Sequence, residues 1–449
     1  MVKLPRFGRL RLPGRITQGW RARLRAQRRW WRARWRARAA AASAEVLFPA
    51  AGRGAIAVET LAGGGPASGP RIAILHATAG SGHKRAAEAL AAAISRLRPG
   101  AVVREVDALV FASRLYRGTY AASYNAMAAR APRLWGALYH SWAAAPVNRG
   151  TAPVRLALDR MNLRRLVRVL EREGPDAVVC THFLPVEALS PRRGVGRLKV
   201  PLYCVITDFA AHPFWAFPHV DRYFVASDRV AMELAGHGVP RERIEVTGIP
   251  IDPRFDRAVG REPARARLGL DARRPAVLVM GGGSGVGPLA ELAERLAALA
   301  LRPQVIVVCG LNGRLRTEVE SLAAARSGDI RTLGFTHEVD VLLEACDVVV
   351  SKAGGLTCSE ALIKQTPLVV FKPTPGQEVR NAEYLESGGA AIHADSAAEV
   401  EGVVGRWLAD PEARARVREA ARRLARPHAA DTIARRVLAE IGAAQKLSA

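Results

Sequence analysis

The 449-residue chain has no uninterrupted run of about 18 apolar residues, the length a helix needs to cross a bilayer, so no transmembrane helix is expected. Its first forty residues contain no Asp or Glu and lack the apolar middle region of a secretion signal. Cysteine is sparse. Cys180, Cys204, Cys309, Cys346 and Cys358 lie far apart with no C-x-x-C pair, which argues against a disulfide framework and fits free thiols in a reducing compartment. No G-x-x-x-x-G-K-[ST] occurs, so a P-loop hydrolase is disfavoured. The G-x-G-x-x-G fingerprint is missing too: in the first Gly-rich turn its third glycine would fall on Arg85, and the second turn misses the spacing at Val286 and Pro288. That disfavours a nicotinamide enzyme. There is no D-x-D, and the ten histidines form no H-x-x-x-H or Cys/His cluster, so neither a metal nor any other cofactor is expected. No RNA- or DNA-binding motif is found, and no nucleic-acid partner is expected.

What the chain has in abundance is positive charge, +26 in total, of which thirteen Arg and one Lys fall in residues 1–40. Such an excess favours phosphate-bearing partners. Within that leader Trp20, Trp30, Trp31 and Trp35 alternate with arginines, a mixture suited to an anionic membrane surface, with the rings at headgroup depth and the guanidinium groups on lipid phosphates. A disordered basic tail would read the same way. The expectation is peripheral attachment to the inner face of the cell membrane of a cytoplasmic protein.

After a Gly/Pro/Ala-rich connector at 50–70, short apolar runs alternate with helical patterns, the mark of a doubly wound parallel α/β sheet. Such runs lie at 71–75, 102–106, 177–180, 202–206 and 223–225. The segment "VTGIPIDPRF" interrupts the alternation, which resumes at 276–280, 304–309, 347–350 and 368–371. The expected architecture is α/β: two Rossmann-like domains facing a central cleft, with a leader and linker at 1–69. The first domain is placed at 70–248, an interdomain linker at 249–275, the second domain at 276–425 and a C-terminal helix at 426–449. Open sheets of this kind bind ligands beyond the carboxyl ends of their strands.

Three small-residue turns follow strand-like runs there: "TAGSGH", "GGGSGVG" and "SKAGGLT". A turn opening a helix offers unpaired N–H groups to anions, so Gly281, Gly282, Gly283, Ser284 and Gly285, with Ser351, Lys352, Gly354, Gly355 and Thr357, are candidates to hold a diphosphate. Glu360, a turn further on, can accept from ribose hydroxyls. Gln377, Glu378 and Asn381, in "PGQEVRN" after a Pro-Gly turn, suit sugar hydroxyls.

The segment "DVVVSKAGGLTCSEALIKQTPLVVFKPTPGQEVRNAEYL" resembles the donor-binding domain of the monogalactosyldiacylglycerol synthase and processive diacylglycerol glucosyltransferase family, of the GT-B fold. "TAGSGHKRAAEAL", "ITDFAAHPFW", "TGIPIDPRF" and "GFTHEVDVLLEACD" resemble other motifs of that family in the same order, over about 71–425. The resemblance implies a UDP-sugar co-substrate, a diacylglycerol or similar lipid acceptor, and inversion at the sugar carbon. It implies further that the uracil lies against Gly334 and Phe335 with Asn312 nearby, and that Gly82, His212 and Trp215 meet the acceptor. Departures from the family are Ser351 and Ala353 for threonine and proline in the T-K-P-G-G motif, and Thr78 for the acid of the plant-type enzymes, which places the chain nearer the bacterial glucosyl branch.

An acceptor hydroxyl with a pKa near that of water, about 15.7, needs a base. His83, at a helix start whose dipole disfavours protonation, is the candidate, with Asp208 as a second base or an orienting partner. Each has a structural alternative as a cap. Transfer of N-acetylglucosamine to another lipid-linked acceptor, and a nucleotide-sugar 2-epimerase, remain open on the same motifs.

Overall fold

Aliphatic and β-branched runs that are buried on both faces suit parallel strands covered by helices on either side. The structure, a computed structural model, describes residues 69–78, 80–120, 145–325 and 329–448. The Arg/Trp-rich leader, the connector as far as residue 68 and the aromatic stretch at 121–144 lie outside the described residues.

The first sheet comprises β1 (Arg71–His76), β2 (Val102–Asp107), β3 (Ala177–Cys180), β4 (Leu202–Val205), β5 (Arg222–Val225) and β6 (Ile244–Val246), in the order β2-β1-β3-β4-β5-β6. Every pairing is parallel, with Leu75 opposite both Val106 and Cys180. The second comprises β7 (Ala276–Met280), β8 (Gln304–Val308), β9 (Ile330–Leu333), β10 (Val348–Ser351), β11 (Leu368–Phe371) and β12 (Ala391–Ala394), again parallel, in the order β12-β11-β10-β7-β8-β9. This is the expected α/β class. In each sheet the strand order reverses direction once, between β1 and β3 and between β7 and β10. A crevice opens where the connections leave such a point toward opposite faces.

The helices that matter for the site are α1 (Ser81–Leu97) after β1, α2 (Ala145–Asn162) and α3 (Arg164–Glu173) before β3, α4 (Phe183–Gly194) after β3, α5 (Gly355–Ile363) after β10 and α6 (Gln377–Ser387) after β11. The C-terminal α7 (Ala429–Ser448) returns to the first sheet. Its Ile433, Val437 and Ile441 are buried with Ile72, Ile74 and Phe224, and Glu440 accepts from the Tyr203 hydroxyl at 2.9 Å. Apolar residues three and four apart place one face of α7 on the sheet, so the end of the chain covers strands formed at its beginning.

Candidate active site

Both reversal points open on one cavity of about 1500 Å³, lined by loops of the two sheets. On the first sheet, α1 begins at Ser81, so His83 occupies its first turn, next to the end of β1. The His83 Nδ1 lies 2.7 Å from the Thr181 carbonyl oxygen, just past β3. A carbonyl oxygen only accepts, so Nδ1 carries the hydrogen and Nε2 keeps its lone pair. The Thr207 hydroxyl, at 2.9 Å, supports the same nitrogen. Burial, outweighing the Thr181 hydrogen bond, lowers the His83 pKa to about 4, so the ring is neutral at physiological pH. His83 therefore faces the cavity as an unprotonated base whose tautomer is set by the Thr181 carbonyl, with the Thr207 hydroxyl beside it.

Asp208 follows Thr207 beyond β4 and also lines the cavity. Burial, with repulsion from Glu378, raises its pKa to about 6 against the opposing hydrogen bond from Asn381. No contact joins Asp208 to His83 directly; Thr207 stands between them in the chain. His212 and Trp215 line the cavity as well, and His212 Nδ1 accepts from the Phe214 N–H at 3.2 Å, capping the turn that presents Trp215.

Across the cavity, Gly281, Gly282, Gly283 and Ser284 after β7, and Ser351, Lys352, Gly354, Gly355 and Thr357 around the start of α5, form the opposite wall. The N–H groups of the first turn of α5 have no partner within the helix and carry its positive end. Lys352 Nζ sits 3.4 Å from the Glu378 carboxylate, and Glu378 also accepts from the Thr374 N–H at 2.5 Å. Gln377 and Phe335 border the same space.

Glu360 is 1% exposed. One of its oxygens accepts from Arg85 of α1 at 2.5 Å, joining the two halves of the molecule; the other, Oε2, has no hydrogen-bond partner among the described residues. Desolvation outweighs the Arg85 attraction and raises its pKa to about 7. A buried, half-satisfied carboxyl on a cavity wall has acceptor capacity that a ligand hydroxyl can use.

Four residues expected at the donor lie elsewhere. Asn381 is fully buried behind the wall and its side chain is engaged within the protein: Nδ2 donates to Asp208 Oδ1 at 3.0 Å and to the Ala353 carbonyl at 2.9 Å, while Oδ1 accepts from the Phe209 N–H at 2.7 Å. It joins the halves, has no donor left for a sugar and does not line the cavity. Asn312 donates to the Gly285 carbonyl at 2.9 Å and caps the next helix through the Leu315 N–H, and neither Asn312 nor Gly285 lines the cavity. Gly285 has φ +57°, and an added Cβ would lie 2.0 Å from the Cys309 carbonyl oxygen, so this glycine serves the turn. Gly334 likewise stays outside the lining, although its neighbour Phe335 belongs to it.

Residues that motif reading passed over also meet here. Thr181 and Thr207 hold His83, Arg85 holds Glu360, and His182, Phe183, Phe214, Tyr116, Tyr120 and Arg155 build the cavity wall on the first sheet's side. The placement of "TH" directly after the β3 run was the available signal for Thr181 and His182. The others depend on contacts between residues distant in sequence.

Residues 83–251 match the model of the monogalactosyldiacylglycerol (MGDG) synthase family, and residues 276–433 that of the glycosyltransferase family 28 C-terminal domain. Processive diacylglycerol beta-glucosyltransferases of Bacillus cereus (strain AH187) and Bacillus anthracis (strain A0248) are 34% identical to this chain over 278 residues, which are 62% of this chain and 71% of each relative. Among solved structures, MurG of Acinetobacter baumannii aligns with a TM-score of 0.56 at 16% identity, covering 82% of this chain and 99% of that one. That likeness speaks to the fold.

Proposed function

This chain belongs to the glycosyltransferase family of the monogalactosyldiacylglycerol synthases and processive diacylglycerol glucosyltransferases, and on that premise we propose that it moves a hexose from a UDP-sugar to the free hydroxyl of diacylglycerol at an anionic membrane surface. The observation that carries the reading is the pairing, across one cavity, of a neutral His83 whose Nε2 keeps its lone pair with a wall of helix N–H groups and a Glu360 oxygen that has no partner among the described residues. The acceptor hydroxyl gives its proton to His83 Nε2 as its oxygen attacks the anomeric carbon. The bond from that carbon to the diphosphate breaks on the opposite side, and the configuration inverts. The charge developing on the leaving UDP meets the first turn of α5, the 281–284 turn and Lys352. Glu360 receives the ribose hydroxyls, Gln377 and Glu378 contact the sugar, and Asp208 orients the loop that carries Thr207. This division of labour needs no metal.

The membrane part of the proposal rests on α2 and α3. Val154, Leu158 and Met161, at helical spacing on α2, are 66%, 48% and 52% exposed, while Arg155 and Asp159 of the same helix line the cavity. Exposed Arg164, Arg165, Arg168 and Arg172 follow on α3. An apolar stripe flanked by arginines suits an interface of acyl chains and phosphates, with the cavity mouth beside it. The basic leader would add to the same attraction.

The test is transfer of labelled hexose from a panel of UDP-sugars into vesicles containing diacylglycerol and anionic lipid, with and without EDTA. We expect transfer from one donor, undiminished by EDTA. Release of free sugar or an epimer with no labelled lipid would overturn the reading, and loss of transfer in EDTA would overturn its metal-free form.

A further inference from the structure

His76, His83 and His182 lie close together near the first sheet's reversal point, and the proposed reaction leaves His182 without a task. It stands immediately after β3, caps α4, and is 3% exposed. Its Nδ1 accepts from the Leu184 N–H at 3.0 Å. That nitrogen therefore holds a lone pair, and in the neutral ring the hydrogen sits on Nε2. Burial, with His83 and His76 nearby, depresses its pKa well below the usual histidine range, so the neutral form persists. Among the described residues nothing accepts from Nε2, and the ring lines the cavity.

The two neighbouring rings are thus locked in opposite tautomers. His83 presents a bare Nε2 and His182 an Nε2–H, with ring centroids 4.5 Å apart, nearly perpendicular. Around them the wall is aromatic: Phe183 stacks on His182 at 4.4 Å, and Trp215 and Tyr120 lie at 6.4 and 6.3 Å. In such surroundings an unused donor is costly, and a ligand that supplies an acceptor at that point is favoured over one that does not. A donor on the attacking oxygen itself would draw off electron density and weaken it as a nucleophile. The fitting partner is an oxygen that only accepts, close to the reacting hydroxyl.

Resting on the diacylglycerol reading above, we propose that His182 is a specificity-determining residue whose Nε2–H donates to an ester carbonyl of the acylglycerol while His83 takes the proton from the adjacent hydroxyl. An ester carbonyl oxygen extends two bonds beyond the oxygen on the carbon next to the hydroxyl-bearing one, a span that two rings so placed can bridge. An ether-linked glycerolipid offers the same hydroxyl but, in place of that carbonyl, only a weaker acceptor set closer to the glycerol.

The experiment compares kcat/KM on 1,2-diacylglycerol and on its 1,2-dialkyl ether analogue, matched in chain length and presented in vesicles of one composition. The variants separate donor from cap. His182→Asn keeps an acceptor near the Nδ1 position for the Leu184 N–H but carries no donor out to Nε2, whereas His182→Gln keeps a donor near Nε2 and gives up the cap. The wild type should prefer the ester by about tenfold, the worth of one hydrogen bond left unmade. His182→Asn should bring that ratio close to one through a raised KM for the ester, with UDP affinity and melting temperature near wild type. His182→Gln should retain most of the preference even where it melts lower. A wild-type ratio near one, or a ratio unchanged in His182→Asn, overturns the assignment, and so does an equal loss of kcat on both lipids. Failure of wild type to glycosylate either lipid would instead bring down the acceptor reading on which the assignment rests.

Discussion

His83, Asp208 and Glu360 are three titratable groups that burial displaces in opposite senses, and the sense of each displacement determines the form in which it works. His83, lowered to about 4, is unprotonated at neutral pH; Glu360, raised to about 7, changes charge near neutrality. For Glu360 the folded state holds a proton that the unfolded state releases from pH 4.5 upward, so its contribution to stability is lost as pH rises through that window toward 7. For His83 the sign is reversed: between about 6.5 and 4 the unfolded state binds the proton first, and stability falls as pH drops. If Glu360 holds the ribose as proposed, the acid limb of kcat/KM for the donor should have its midpoint near pH 7 and follow ionisation of Glu360. In Glu360→Gln we expect kcat/KM about 10–100-fold lower and the limb displaced to more acid pH, since a lost hydrogen bond to a charged group has about that worth. A limb still centred near 7 in that variant would remove Glu360 from the donor. His83→Ala should lower kcat by about 10²–10⁴-fold, the usual contribution of a general base, and leave UDP affinity within about threefold as judged by calorimetry.

At the scale of elements, the site is a set of helix starts placed by parallel strands. The β-branched runs and small-residue turns were legible because their periods, two and then 3.6, are local properties. Which glycine faces ligand and which faces protein was not legible, because both kinds occur in one turn. Gly354 and Gly355 show the difference. A Cβ on Gly354 would meet nothing within 4 Å, whereas on Gly355 it would lie 2.0 Å from the Thr207 carbonyl oxygen, against the other half of the molecule. Gly355→Ala should cost about 1–3 kcal/mol in chemical denaturation, since neither backbone can give way cheaply, and it should depress kcat by displacing the Thr207–His83 contact. Gly354→Ala should unfold within about 1 kcal/mol of wild type yet raise KM for the donor, its methyl lying in the space assigned to the diphosphate. Equal stability losses in the two variants would contradict this division.

At the scale of the whole molecule, polar and aromatic contacts across the cleft add to the apolar core that the two sheets share. Asn381 joins α6 to the loop after β4, Arg85 joins α1 to α5, and Phe209 stacks on Tyr384 with centroids 5.0 Å apart. Removing Asn381 leaves the buried Phe209 N–H and the Ala353 carbonyl without partners, at about 1–3 kcal/mol for each such group. Asn381→Asp should be worse than Asn381→Ala, because a carboxylate cannot donate to the Asp208 oxygen and repels it. Thermal unfolding and kcat should fall together in that order; the reverse order would show that Asn381 does not act as this strut. From the sequence Asn381 reads as a sugar ligand, since a polar residue after a Pro-Gly turn gives no sign that its amide is buried and committed to other parts of the protein.

The succession of β and α units, the apolar character of the strands, the turns that open helices and the family to which they belong are all legible in the linear chain, because each is written in neighbouring residues. Folding in three dimensions settles which tautomer His83 and His182 adopt, which Glu360 oxygen has no partner among the described residues, which of the polar residues expected at the donor are spent on holding the two halves together, and that α7 covers the first sheet. The physical reason is common to all four. Hydrogen-bond capacity and burial depend on partners up to hundreds of positions away, and a residue's chemistry is settled only when those partners arrive.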